Sequence, residues 1–72
     1  MSESVYKLID LVGTSPESWE KATAIAVKQA AKTLRDLRIA EVTEMDAVVA
    51  EDGSIEAYRV KLRLSFKYEG HG

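Results

Sequence analysis

The last long segment of the chain constrains the fold more than any other feature, because apolar and polar side chains alternate there without a break. One set is apolar and comprises Tyr58, Val60, Leu62, Leu64, Phe66 and Tyr68. The other set is polar and mostly basic and comprises Arg59, Lys61, Arg63, Ser65 and Lys67. Successive side chains of a strand point to opposite faces, so this pattern predicts a β-strand with one face in a core and the other outside.

Two further segments have the composition of strands. Residues 4–13, "SVYKLIDLVG", are apolar on both faces, which is typical of a strand that is covered on both sides. Residues 38–50, "RIAEVTEMDAVVA", predict a second strand. The "EDGS" segment that follows contains Asp52-Gly53, a strong signal for a hairpin turn, so the second and third strands should be antiparallel neighbours.

A helix is predicted between the first two strands. Ser15 suits the N-cap, Pro16 the first helical position and Glu17 the positive end of the helix dipole. We expect the helix to continue to about Leu37. Its apolar face recurs at spacings of three and four and comprises Trp19, Ala22, Ala26, Ala30, Leu34 and Leu37.

The order β-α-β-β predicts an α+β fold in which a three-stranded antiparallel sheet partly wraps one helix. We expect residues 1–72 to form a single domain with a core over about residues 4–69 and a frayed tail at 70–72. A core of this size rarely supplies more than about 3–5 kcal/mol, and the chain has no cysteine for disulfides. The sequence therefore predicts self-association, with a second copy covering the outer face of the first strand.

Charge and hydropathy exclude several classes of partner. Ten basic and twelve acidic residues give a net charge of −2, so no general field attracts nucleic acid or anionic lipid. No apolar run approaches the ~20 residues of a membrane span. The first ten residues lack the long apolar region of a signal peptide. We expect a cytoplasmic protein with no membrane or nucleic-acid partner.

The basic side chains of the third strand are the most prominent charged feature. They are Arg59, Lys61, Arg63 and Lys67. They could contact phosphates, but no glycine-rich basic loop or exposed aromatic platform accompanies them, as single-strand binding would need. We expect them instead to pair across strands with acids such as Glu41 and Glu44.

The residues that carry out catalysis in other proteins form no set here. His71 is the single histidine and lies in the tail, where a general base is not held near its proton. Glu51 and Asp52 could contact a hard cation, but two acids fall short of six or more ligands, so we expect them to build the hairpin. Trp19 could stack on a flavin or nucleotide, but its place on the apolar helix face favours packing. The sequence predicts that the protein is not an enzyme.

Three segments resemble the dodecin family: "VYKLIDLVGTSPESWEKA", "AAKTLRDLRIAEV" and "AYRVKLRLSFKYE". The similarity extends over about residues 5–69. Dodecins form hollow shells of twelve identical subunits, each a three-stranded antiparallel sheet partly wrapped around one helix. Many members store or sequester flavins, and some also hold coenzyme A. The resemblance therefore implies a homododecamer that binds a small molecule, with riboflavin or flavin mononucleotide (FMN) as the first ligand to test.

Four positions match the flavin site of the family, and three of them carry a different residue here. The tryptophan that stacks on the flavin ring at the start of the second strand is Ile39 in this chain. The glutamine that hydrogen-bonds the ring edge is Arg59, and an arginine near the ligand phosphate is Asp46. Lys67 keeps the basic character of its position.

These substitutions predict weak flavin binding. Aromatic stacking on a base is worth ~1–3 kcal/mol, which Ile39 lacks. Arg59 only donates hydrogen bonds, so a ring N–H loses its acceptor, at a cost of roughly 1–3 kcal/mol. Together the changes predict an affinity lower by about 10²–10⁴. The alternative is a dodecin-like assembly that has lost flavin and holds another anionic ligand or a divalent cation such as calcium.

Overall fold

The fold is β-α-β-β, as predicted. A computed structural model describes residues 3–68. Its elements are β1 (Tyr6–Ser15), α1 (Trp19–Ala31), β2 (Leu37–Val49) and β3 (Ile55–Lys67). The three strands form one antiparallel sheet in the order β1-β3-β2, so β3 lies in the centre. The predicted frayed tail, residues 70–72 with His71, lies outside the described residues.

The central strand separates its two faces as its alternation predicts. Val60, Leu62 and Leu64 are completely buried under the helix, whereas the intervening Lys61 and Arg63 are exposed. Phe66 shares the inner face but is only half-buried, because it lies near the end of the strand, beyond the centre of the helix. The core therefore centres on three aliphatic side chains of β3 and three alanines of α1.

The helix begins at a different serine from the predicted one. Ser18, not Ser15, is the N-cap, and its side chain accepts a hydrogen bond of 3.0 Å from the backbone N–H of Lys21. Ser15 is the last residue of β1, where it pairs with Tyr58. Its hydroxyl accepts a 3.0 Å hydrogen bond from the N–H of Glu17. The predicted start was wrong because the strand pairing continues through Ser15 and uses this residue for the turn.

The helix also ends earlier than predicted, at Ala31 rather than near Leu37. Asp36 takes a left-handed backbone conformation with φ of 59°, which turns the chain out of the helix and into β2. Leu37 then becomes the first residue of β2 and pairs with Phe66. Leu34 and Leu37 still pack against the core, so their predicted burial is right although their helical conformation is not.

The helix lies very close to β1 because small residues meet there. Ala22, Ala26 and Ala30 form its buried face. A Cβ atom on Gly13 would lie 2.5 Å from the carbonyl oxygen of Ala22 and 2.9 Å from the Cβ of Ala26. These distances are shorter than van der Waals contact, so only glycine permits the observed approach of strand and helix.

We expect Gly13→Ala to lower the free energy of unfolding by about 1–3 kcal/mol, because the added methyl group forces the helix away from the sheet. Urea titration followed by circular dichroism measures the change. The exposed neighbour Thr14 provides the control, since Thr14→Ala adds no atom to this contact. Equal stability of the two variants would contradict the close packing described here.

The sheet face opposite the helix carries exposed apolar side chains. Leu8 and Val12 of β1 are 55% and 56% exposed and lie opposite Ser65 and Lys61 of β3. β1 is therefore apolar on both faces, as predicted, but the described chain covers only one of them. Among residues 3–68 no helix is long and apolar enough to cross a membrane.

Candidate functional site

Three basic side chains of β3, those of Arg59, Lys61 and Arg63, form ion pairs on the open face of the sheet. Arg59 forms a bidentate pair with Asp46 of β2, with Nε–Oδ1 at 2.7 Å and Nη2–Oδ2 at 2.8 Å. Lys61 Nζ lies 3.0 Å from Glu44 Oε1, as the sequence predicted. This cross-strand pairing supports the structural interpretation of the basic row over nucleic-acid binding.

The pairing of Arg63 differs from expectation. Glu41 lies opposite Arg63 in the sheet register, but the bidentate hydrogen bonds of Arg63 go to Asp10 of β1, at 2.9 and 3.2 Å. The expectation considered only acids of the second strand. Asp10 of β1 competes with Glu41 for Arg63, because β1 is the other neighbour of β3 in the sheet.

A β-bulge brings the acids of β2 to one face. The register shifts between Val42 and Glu44, so that Thr43 has no opposite residue and its hydroxyl donates to the carbonyl of Lys61 at 3.1 Å. In a regular strand Glu41 and Glu44 would point to opposite faces. The extra residue changes the alternation, so that both lie opposite bases of β3, as does Asp46.

The ion pairs shift the pKa values of their members. The hydrogen bonds from Arg59 lower the pKa of Asp46, with smaller contributions from the charges of Arg59 and Lys61. Arg63 lowers the pKa of Asp10 in the same way. The carboxylates in turn raise the pKa values of both arginines. All four groups are charged at neutral pH.

These shifts predict a loss of stability in acid. A lowered carboxyl pKa contributes stability that is complete above the ordinary value of 3.8 and disappears as the pH falls through the lowered pKa. The melting temperature at low salt should therefore fall below about pH 4, in part because Asp10 and Asp46 protonate. At neutral pH the variant Asp10→Asn/Asp46→Asn should have a lower melting temperature than the wild-type. Its melting temperature should then fall less steeply as the pH is lowered. If the melting temperature of the variant falls as steeply as that of the wild-type, other carboxylates are responsible for the acid sensitivity.

The side chain of Ile39 lies at the far end of β2 from this arginine pair. It is 61% exposed and lies opposite Ser65. It borders a small cavity of about 180 Å³ between α1 and β2, lined also by Val27, Leu37, Arg38, Ala40 and Leu64. Lys67, two residues beyond Ser65, is its diagonal neighbour in the sheet. Ile39 thus presents an aliphatic surface next to a cation.

The four predicted ligand positions therefore form two separate groups within one chain. Ile39 and Lys67 lie at one end of the sheet, and Asp46 and Arg59 lie near the other. Ile39 and Asp46 are seven positions apart in β2, which at ~3.3 Å per strand residue is roughly 23 Å. Asp46 and Arg59 contact each other, and no contact joins them to Ile39.

Trp19 connects the helix to the arginine pair. Its indole Nε1–H donates a 2.9 Å hydrogen bond to the backbone carbonyl of Asp46. Its ring packs edge-to-face on Tyr58, with centroids 4.8 Å apart and planes at 72°. The predicted packing role of Trp19 agrees with these contacts, whereas its bond to Asp46 gave no signal in the sequence.

A groove on the open face was not predicted. It measures about 350 Å³ and is lined by Asp10, Leu11, Val12, Thr43, Lys61, Leu62 and Arg63. Its polar walls are the ion pairs just described and its floor is aliphatic. No sequence pattern indicates this groove, since it depends on the β2 bulge and on the placement of β1 beside β3.

The side chain of Asp52 stabilises the hairpin turn. Asp52 Oδ1 accepts hydrogen bonds from the N–H of Ser54 at 2.9 Å and from its hydroxyl at 2.7 Å, which lowers the pKa of Asp52. Gly53 takes the left-handed conformation with φ of 89°. Within residues 3–68 no three His, Asp or Glu side chains lie together as a metal site would require.

Comparison with known proteins decides the family. The Dodecin family model matches residues 5–69, which is most of the chain. The chain belongs to the dodecin family. It is 53% identical over 64 residues to the calcium dodecin of Mycobacterium tuberculosis, covering 89% of each protein.

Solved dodecin structures have the same fold. The dodecin of Streptomyces coelicolor matches with a TM-score of 0.89 and 38% identity, covering 99% of this chain and all of the other. A crystal structure of the M. tuberculosis calcium dodecin, described with a novel calcium-binding site, matches with a TM-score of 0.81 and 49% identity. That match covers 96% of this chain and 97% of the other. These matches confirm the dodecin fold that the sequence resemblance implied.

Proposed function

We propose that this dodecin-family chain assembles into a cytoplasmic shell of twelve copies that stores or sequesters a small ligand and catalyses no reaction. The observation that carries this proposal is the open face of the sheet. It combines exposed aliphatic side chains, such as Leu8 and Val12, with basic side chains whose charges are matched by acids. An apolar face with matched charge suits contact with further copies of the chain and a small ligand between them.

The separation of the ligand positions supports a site made by more than one copy. Ile39 and Arg59 belong to opposite ends of the sheet and cannot both contact one flavin ring within a single chain. Association of copies would bring Ile39 of one subunit near Arg59 or Asp46 of another. Ligand binding and assembly are therefore coupled in this proposal, because binding to the assembled form alone stabilises it by mass action.

Flavin is the first ligand that we propose, bound weakly. Ile39 can cover a ring with its 61% exposed aliphatic surface, although it lacks a π-face. Arg59 already donates from Nε and Nη2 to Asp46, so only its remaining N–H groups are available to a ring carbonyl while this pair is intact. Both properties support an affinity below that of a site with tryptophan and glutamine.

A divalent cation such as calcium is the second candidate, favoured by the 53% identity to a calcium dodecin. The open face carries carboxylates on two strands, among them Asp10, Glu41, Glu44 and Asp46. Because no three acids gather within residues 3–68 of one chain, such a site would need carboxylates from neighbouring copies. Hard cations of this kind take six to eight oxygen ligands, which several copies together could supply.

Calorimetric titration of the size-fractionated assembly with riboflavin and, separately, with CaCl₂ tests the proposal. We expect measurable binding of at least one, with riboflavin in the micromolar range or weaker. An absorbance spectrum of the purified protein shows directly whether flavin is already bound. An assembly that binds neither probe would contradict ligand storage as proposed here.

A further inference from the structure

The ion pair of Asp46 with Arg59 neutralises an arginine at a position that the family resemblance assigns to the ligand site. Both partners are accessible from the open face, with side chains 46% and 42% exposed. The guanidinium uses its Nε and Nη2 edge on the two oxygens of one carboxylate. Arginine can use the same edge to bind a phosphate or carboxylate of a ligand.

We propose that Asp46 determines which ligand charge this site accepts: by neutralising Arg59 and holding its Nε and Nη2 edge, it disfavours anionic groups and leaves the site to uncharged or cationic ligands. This inference rests on the proposed function, since it assigns the ligand class of the same site. An incoming anion would have to displace this counter-ion or bind the remaining N–H groups of a guanidinium whose charge is already neutralised. It would also meet the negative charge of Asp46 at close range.

The backbone around Asp46 is held independently of its carboxylate. Trp19 binds the main-chain carbonyl of Asp46, and the strand register sets Asp46 opposite Arg59. The side chain is therefore not required to keep β2 in place. Asp46→Asn should leave the strand in position while it removes the charge that neutralises Arg59.

Similar pairs on the same face provide the contrast. Arg63, four residues along β3 from Arg59, is held by Asp10 in the same bidentate manner. Arg63 does not occupy a position that matches the family ligand site, whereas Arg59 does. Removing the charge of Asp10 or of Asp46 changes the net charge equally. Only the removal of the Asp46 charge, which frees Arg59, should change the relative affinity for anionic and uncharged ligands.

The test compares FMN with riboflavin, which differ by one phosphate group. In Asp46→Asn the affinity for FMN relative to riboflavin should rise by about ten- to hundredfold, the equivalent of one charge-assisted interaction. This increase in the affinity for FMN relative to riboflavin should be smaller at high salt, because salt screens the interaction between charges. It should be absent in Asp46→Asn/Arg59→Gln, in which the released arginine is missing, and in Asp10→Asn, the matched control.

A second readout does not depend on flavin binding. Trp19 is the single tryptophan and contacts Asp46, so its fluorescence reports on this end of the sheet. Inorganic pyrophosphate should leave Trp19 emission of the wild-type unchanged and should alter it in Asp46→Asn with a saturable dependence on concentration. Asp46→Ala provides the same test if the asparagine variant does not assemble.

Three results would overturn the inference. The first is a saturable change of Trp19 emission with pyrophosphate in the wild-type, and the second is no increase in the relative affinity for FMN and no pyrophosphate response in either Asp46 variant. The third is an equal increase in the relative affinity for FMN in Asp10→Asn. Failure of the proposed storage function gives a different result. In that case no variant binds riboflavin or calcium, while the pyrophosphate response of Trp19 still reports whether Asp46 blocks Arg59.

Discussion

Leu62→Asp should abolish folding, whereas Lys61→Gln should change the free energy of unfolding by no more than about 0.5 kcal/mol. Leu62 is 1% exposed and lies in the centre of the core, so a carboxylate there would be buried without a partner. That cost exceeds the ~3–5 kcal/mol that a core of this size supplies. Lys61 lies on the open face, where its partner Glu44 is exposed and solvent screens their pair. Circular dichroism and size exclusion of the purified variants measure the difference.

Phe66→Asp provides a graded comparison. Phe66 is half-buried near the end of β3, so its replacement should destabilise the protein strongly but less than Leu62→Asp. The sequence alone does not distinguish the two positions, because both belong to the apolar set of the third strand. Damage from Lys61→Gln equal to that from Leu62→Asp would mean that the two faces of β3 are assigned the wrong way round.

Ile39→Trp combined with Arg59→Gln should tighten riboflavin binding by about 10²–10⁴-fold. The indole adds a stacking face, and the glutamine amide adds an acceptor for the ring N–H while it still donates to a ring carbonyl. FMN should gain less, because Arg59→Gln removes the counter-ion of Asp46 and leaves its charge beside the phosphate. Fluorescence titration measures both affinities, and contact with the new indole should quench bound flavin.

The single variants and a third substitution give the controls. Ile39→Trp alone should give part of the gain, while Asp46→Arg added to the double variant should narrow the gap between FMN and riboflavin. Assembly of each variant is checked by size exclusion. If the wild-type already quenches riboflavin at sub-micromolar concentration and the double variant adds nothing, Ile39 and Arg59 are adequate ligand residues and weak binding is the wrong expectation.

The sheet and the helix face could be predicted from the sequence because their periodicity is strong. The alternation around Leu62 and the alanines at positions 22, 26 and 30 each specify one buried face. The helix start could not be placed correctly from the sequence, because Ser15 has the local preference of an N-cap and only its pairing with Tyr58 in the sheet places the cap at Ser18.

The arrangement of the candidate site depended on features that leave no local signal. The bulge at Thr43 changes which side chains of β2 share a face, and the strand order places Asp10 beside Arg63. Asp46 and Arg59 were each identified as ligand positions through the family resemblance. Their direct contact was not, because it requires the register of β2 on β3, which no motif specifies.

Native mass spectrometry of the purified protein at low micromolar concentration tests the central proposal most directly, since it reports both subunit number and bound ligand. We expect one dominant assembly of twelve 8.0 kDa chains with additional mass from flavin or a divalent cation after incubation with these ligands. Circular dichroism of the same sample establishes whether any monomer is folded. A folded 8.0 kDa monomer as the main species would contradict the proposed shell.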